Sequence, residues 1–120
     1  MAVSPTFLEF VEELFAPFGP IAAKRMFGAA GIYCGDLFFA VVDDDTLYLK
    51  TDAETRAEFE AAGLAPAELT NSSGETVQLS YYAAPEEAFE DADVLAHWTE
   101  LALAAARRTA AKKSRKKKKS

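Results

Sequence analysis

The stretch Ala23–Lys50, AKRMFGAAGIYCGDLFFAVVDDDTLYLK, decides the fold. Its first part, Ala23–Cys34, reads as one extended segment in which Gly28 and Gly31 mark a bulge or a close approach of backbone. Gly35-Asp36 is a two-residue hairpin signal, and Leu37–Val42 is an apolar strand behind it. The acidic corner Asp43-Asp44-Asp45 turns the chain again. Thr46–Lys50 then returns with Leu47 and Leu49 facing opposite Tyr48 and Lys50. Three antiparallel strands are predicted.

Ahead of this stretch, Ser4-Pro5-Thr6 combines a capping hydroxyl with a proline suited to a first helical turn. Phe7, Phe10, Val11, Leu14, Phe15 and Phe18 follow at helical spacing, and Pro17-Phe18-Gly19-Pro20 ends that helix. Behind it, Thr51-x-x-Glu54 has the pattern of a capping box opening a short helix that stops at Gly63, with Asp52 and Arg56 spaced as a surface pair. Strands are predicted around Ala67–Thr70 and Thr76–Tyr82; the second alternates Val77, Leu79 and Tyr81 with Thr76, Gln78, Ser80 and Tyr82. Pro85-Glu86-Glu87 begins a helical turn. Asp91 or Asp93 caps a last helix whose apolar face is Val94, Leu95, Trp98, Leu101, Ala102 and Ala105. The expected fold is a two-layer α+β domain with an antiparallel sheet of about five strands, helices on one face and the order α-β-β-β-α-β-β-α.

Charge divides the 120 residues more sharply than any linker does. Before Arg107 the chain holds four basic residues and all 19 acidic ones, a balance of −15; from Arg107 onward it holds nine basic residues and no acid, +9. Residues 1–108 are therefore expected to form the folded domain. Residues 109–120, with nothing to bury and an unbroken Lys116–Lys119 run, are expected to be a disordered lysine-rich tail.

The same inventory excludes several classes of function. The longest apolar runs, Leu37–Val42 and Leu101–Ala106, are six residues each, far short of the roughly 20 a spanning helix needs. The start MAVSPTFLEF has no secretory leader pattern, so a cytoplasmic protein away from the membrane is expected. Cys34 is the one cysteine, and it has no partner for an internal disulfide or a thiolate metal site. His97 is the one histidine, flanked by Asp93 and Glu100 on a polar helix face. The three consecutive acids at 43–45 lack the interleaved carbonyl donors of a calcium or magnesium loop. No catalytic residue, metal or cofactor is expected.

Lys24-Arg25-Met26-Phe27-Gly28-Ala29-Ala30-Gly31-Ile32-Tyr33 sets two of the body's four basic residues beside an aromatic, a glycine pair and a tyrosine. This run resembles the opening signature of the TfoX N-terminal domain family, the first module of the TfoX/Sxy competence regulators. The likeness continues through LFFAVVDDDTLYLK, DAETRAEFEAAGL and QLSYYAAPEEAFEDADVLAHW and covers nearly all of residues 5–108. It implies an α+β fold in the order read above and a regulatory role, as a coactivator assisting the cyclic-AMP receptor protein at competence promoters. In the full-length regulators a second, helical domain follows; here the lysine-rich segment stands in that place.

Two readings of the signature run stand side by side. In one, Lys24, Arg25, Met26, Phe27, Gly28, Gly31, Tyr33, Tyr48 and Lys50 make a mixed basic and aromatic patch for a protein partner or a nucleic-acid phosphate. In the other, Met26, Phe27, Tyr33 and Tyr48 are packing residues and the glycines bend a strand. Lys24 and Arg25, adjacent on a strand, point to opposite sides, so at most one belongs to the patch. In the tail, Arg107, Arg108, Lys112, Lys113, Arg115, Lys116, Lys117, Lys118 and Lys119 are expected to bind DNA or RNA with little sequence preference. The function expected is that of a regulatory accessory protein. Its body would contact a protein, of the transcription machinery or a receptor-type regulator, and its tail would hold it to the nucleoid. The alternative is a protein-interaction module with a merely solubilising tail.

Overall fold

The computed structural model describes the backbone of residues 4–26, 29–70 and 73–119, and the side chains of these except Met26, 69–70, 76–78 and 113–119. Helix α1 (Pro5–Phe15) opens as its sequence requires: Ser4 is extended, and its Oγ accepts from the Phe7 N–H at 3.1 Å. A 3-10 turn, Ala16–Phe18, carries the chain to the sheet. Gly19 is needed there. Its φ is +144°, and a Cβ would stand 2.9 Å from Cys34 Sγ.

Six strands follow, β1 (Ile21–Met26), β2 (Ala29–Cys34), β3 (Leu37–Asp43), β4 (Thr46–Lys50), β5 (Pro66–Thr70) and β6 (Thr76–Ala83), in the sheet order β1-β2-β3-β4-β6-β5. Every pairing is antiparallel. The α+β fold stands, with one refinement. The run expected to be a single extended segment is a hairpin, with Met26 opposite Ala29 across two residues, Phe27 and Gly28, that lie outside the described ones. Hydrophobic alternation alone does not reveal where such a run doubles back, because both strands obey the same period of two.

The next two turns match their residues. Gly35 takes φ +59° between β2 and β3. Asp44 and Asp45 both take positive φ, +51° and +54°, the signature of a type I′ hairpin turn, which aspartate tolerates better than most residues.

Register assigns each strand a face. Ala30, Ile32, Ala40, Val42, Leu47, Leu49 and Tyr82 fall in matched rows and are all buried. Helices cover this face: Phe15 of α1 meets Phe39 edge-on at 5.0 Å, and Phe59 of α2 (Arg56–Ala61) packs against Tyr82 at 5.8 Å. A bulge tunes it. Ile32 opposes Ala40 while Tyr33 opposes Phe38, so Phe39 has no opposite number on β2. The extra residue brings Phe39 and Ala40 both into the core at no exposure, while Phe38 stays on the far face. On β6 the buried tyrosine is Tyr82, and Leu79 on the opposite parity is 39% exposed. Pairing with Leu49 decides this, since the apolar alternation of β6 taken alone favours Val77, Leu79 and Tyr81.

Helix α2 starts later than the capping-box pattern suggests. Thr51 finishes the sheet, its N–H donating to Ser80 at 2.8 Å, and its side chain is buried. The reciprocal cap is made instead by Asp52, whose Oδ1 accepts from the Glu54 and Thr55 N–H groups, and Thr55, whose Oγ1 accepts from the Asp52 N–H. After a second 3-10 turn, Glu86–Phe89, Asp91 caps the last helix, α3 (Ala92–Lys119), accepting from Asp93 and Val94. The buried residues of α3 are Leu95, Thr99, Ala102, Leu103, Ala105 and Ala106, with Trp98 half-buried beside them, edge-on to Phe59 at 4.7 Å. Its helical backbone runs to Lys119, and most of the 109–120 segment expected to be disordered lies, in its side chains, outside the described residues.

Thr99 is an anomaly in that buried stripe, fully buried with a hydroxyl that has no hydrogen-bond partner among the described residues. A buried unpaired hydroxyl carries a desolvation penalty of about 1–3 kcal/mol. Thr99→Val keeps the shape and removes the polar atom, so it is expected to raise stability by about 1 kcal/mol in urea melts. A loss of stability would show that the hydroxyl has a partner.

Candidate interaction surface

The face of the sheet opposite the buried core carries much of the predicted patch, and at its Phe38, Lys50 and Tyr81 end it shares a cavity with Ala106, Thr109 and Ala110 of α3. Register places Lys24, Gly31, Val41, Tyr48 and Ala83 in one row across β1, β2, β3, β4 and β6. A second row is Ala22, Tyr33 and Phe38, and Lys50 pairs with Tyr81 beside it. Tyr33 stacks on Phe38 with ring centroids 4.9 Å apart, and Phe38 leans on Tyr81 at 5.8 Å. Lys50 Nζ lies 5.0 Å from the centre of the Tyr81 ring, a cation–π distance. These aromatics are half-buried, and none of the described core residues comes from this face.

Of the predicted patch, Lys24, Gly31, Tyr33, Tyr48 and Lys50 are therefore brought together. Arg25 is not; it pairs with Ala30 and belongs to the helix side. The Met26 side chain, Phe27 and Gly28 lie outside the described residues. Phe38, Val41 and Tyr81, which lie outside the predicted patch, complete the surface. Parity along each strand was available for them, but the register between strands was not. Burial, with the neighbouring Tyr33 adding to it, pushes the Tyr81 phenol up to about 12. Its hydroxyl is a neutral hydrogen-bonding group at any physiological pH. An aromatic surface with hydroxyl edges and lysines near its ends suits a protein contact better than acid–base chemistry.

Cys34 and His97 each have other partners. Cys34 Sγ donates to the Phe18 carbonyl at 3.6 Å, and His97 on α3 pairs with Glu58 of α2. Among the described residues no group of three His, Cys, Asp or Glu side chains is placed to hold a metal ion.

The start of the basic segment touches the body. Arg108 Nε donates to Asp52 Oδ2 at 2.5 Å and lies 3.0 Å from Glu54 Oε2, while Nη2 donates to Asp52 Oδ1 at 3.1 Å. The forked hydrogen bond from Arg108 holds the Asp52 carboxyl below its ordinary range, against an opposing effect of burial. Asp52 thus spends its charge on Arg108 rather than on the predicted partner Arg56. Arg107 and Lys112 are exposed, and the side chains from Lys113 onward are not among the described ones.

A profile of the TfoX N-terminal domain matches residues 13–106. The chain belongs to the TfoX N-terminal domain family. The TfoX N-terminal domain is a non-catalytic regulatory module, and its match here takes in the whole sheet, α2 and the buried stripe of α3. It ends at Ala106, one residue before the charge of the chain changes sign. No curated protein matches the chain. Among the described residues no helix is long and apolar enough to cross a membrane.

Proposed function

We propose that this TfoX N-terminal domain protein is a regulatory accessory factor of the cytoplasm, with a body that contacts a protein partner and a basic segment that holds nucleic acid. The observation that carries this reading is the charge division. A body of −15 ends where the family match ends, and a +9 segment begins at the next residue. Nine cations within fourteen residues attract polyanions, and without interleaved aromatics they read no bases. The partner fitting a regulatory module of this family is a component of the transcription machinery or a receptor-type regulator, with the chain held at the nucleoid.

The test is truncation after Ala111, which keeps Arg107 and the Arg108–Asp52 contact and removes the other seven cations. The truncated chain is expected to melt like the intact one and to bind duplex DNA too weakly to measure by fluorescence anisotropy at physiological salt. Retained binding would move the nucleic-acid site to Lys24 and Lys50. The half-buried aromatic face favours a second reading, a protein-interaction module whose basic segment only keeps it dispersed. That reading gains if the intact chain also fails to bind DNA.

A further inference from the structure

We propose that the groove on either side of Phe89, between α1 and the 3-10 turn before α3, is the docking site for a basic amphipathic helix of the partner protein. This rests on the proposal above that the body contacts a protein, and it places that contact away from the sheet face.

Two cavities share Phe89 as a wall. One, of about 380 Å³, is lined by Leu14, Phe18 and Leu95 among others, and the second, of about 270 Å³, by Phe7, Leu47 and Ala84. Along the ridge between them the rings of Phe7, Phe10 and Phe89 follow one another at centroid distances of 6.0 and 5.9 Å. Phe10 is 41% exposed, one of only two large apolar side chains so open among the described residues. Packing within the chain does not explain it, because α1 already anchors itself through Val11 and Phe15, both fully buried. Exposed apolar rings beside apolar cavities are the usual form of a contact surface.

Charge names the occupant. Every ionisable residue lining the two cavities is acidic, Glu90 and Asp91 at the first and Asp45 and Glu86 at the second. A ligand must therefore bring apolar anchors for two cavities and cations for the rim. A helix with bulky side chains one or two turns apart and lysine or arginine between them does both. The chain's own basic segment does not, since from Arg107 onward it holds no side chain bulkier than threonine apart from its cations. A second copy of the body would bring −15 against −15.

The probe is a fluorescein-labelled synthetic peptide of about 18 residues, with leucine and phenylalanine at positions i, i+4 and i+7 of each repeat and lysine elsewhere. One control replaces lysine by glutamate; another replaces the apolar anchors by alanine and keeps every lysine. The full-length chain is expected to bind the first peptide saturably and each control at least about tenfold more weakly. Phe10→Ser and Glu90→Lys are each expected to weaken the first peptide about tenfold, while Leu79→Ser, at the other exposed apolar residue, leaves it unchanged. Thermal melts confirm that each variant is folded. Equal binding of the anchor-free peptide would reduce the effect to net charge and overturn the proposal. So would truncation at Ala111 tightening the first peptide more than the anchor-free one, which would make the basic segment the occupant, or a dimer dissociated by Phe10→Ser, which would make it a second copy. If Tyr48→Ser abolishes peptide binding and Phe10→Ser does not, the groove assignment falls and the protein-contact reading survives on the sheet face. If no peptide binds, the groove assignment falls while the DNA arm of the proposed function is still decided by the truncation.

Discussion

Phe39→Ala is expected to lower the unfolding free energy by about 3–5 kcal/mol, read from urea denaturation at constant m-value. Phe39 is the bulged residue of β3, fully buried, and it meets Phe15 edge-on at 5.0 Å. Truncating it removes a ring that joins α1 to the sheet and leaves a cavity between two elements far apart in sequence. A domain of this size holds only about 5–15 kcal/mol in all, so the variant should be close to unfolding at 37 °C. Its neighbour is the control. Phe38→Ala, on the half-buried opposite face, is expected to have less than half the effect. Equal losses would show that the bulge does not separate the two rings between core and surface.

The second large effect concerns nucleic-acid binding by the basic segment and rests on the function proposed above. Affinity of the intact chain for duplex DNA is expected to fall with a log–log salt slope near −7, taking about 0.9 per phosphate for eight of the segment's nine cations. The ninth, Arg108, is held by Asp52 and Glu54. Between 50 and 200 mM salt such a slope amounts to a loss on the order of 10⁴. An isolated Arg107–Ser120 peptide should bind more tightly than the intact chain at low salt. The tether presents the body's carboxylates to the same lysines at an effective concentration on the order of mM. The gap should close as salt rises, because the Debye length shortens to about 8 Å at physiological ionic strength. Anisotropy on two unrelated duplexes across a salt series measures both effects. A peptide no tighter than the intact chain would show that the body does not restrain the segment, and a strong preference between duplexes would show sequence readout.

By itself the sequence determined the local events, because each depends on residues that are neighbours along the chain. Ser4 and Pro5 start α1, the Asp44-Asp45 pair makes the β3–β4 turn, and the alternation in Thr46–Lys50 sends Leu47 and Leu49 inward. The sign change at Arg107 is likewise visible without a structure, and so is the signature run that carries the family likeness. What only the tertiary structure decided is which of two equivalent local readings pairs with a distant element. Ala23–Cys34 is a hairpin because β1 finds β2 in register, a choice that a period of two leaves open. Tyr82 rather than Tyr81 enters the core because β6 lies against β4 with Tyr82 opposite Leu49. The same register puts Lys24 on the aromatic face and Arg25 on the other, settling a choice the sequence leaves between them. Asp52 pairs with Arg108, 56 residues away, and not with Arg56, four residues away, because it lies ahead of α2 as its cap, where helical spacing does not apply, and α3 brings the Arg108 guanidinium to its carboxylate. Long-range register and packing are collective properties of all the buried side chains, and no window of sequence contains them.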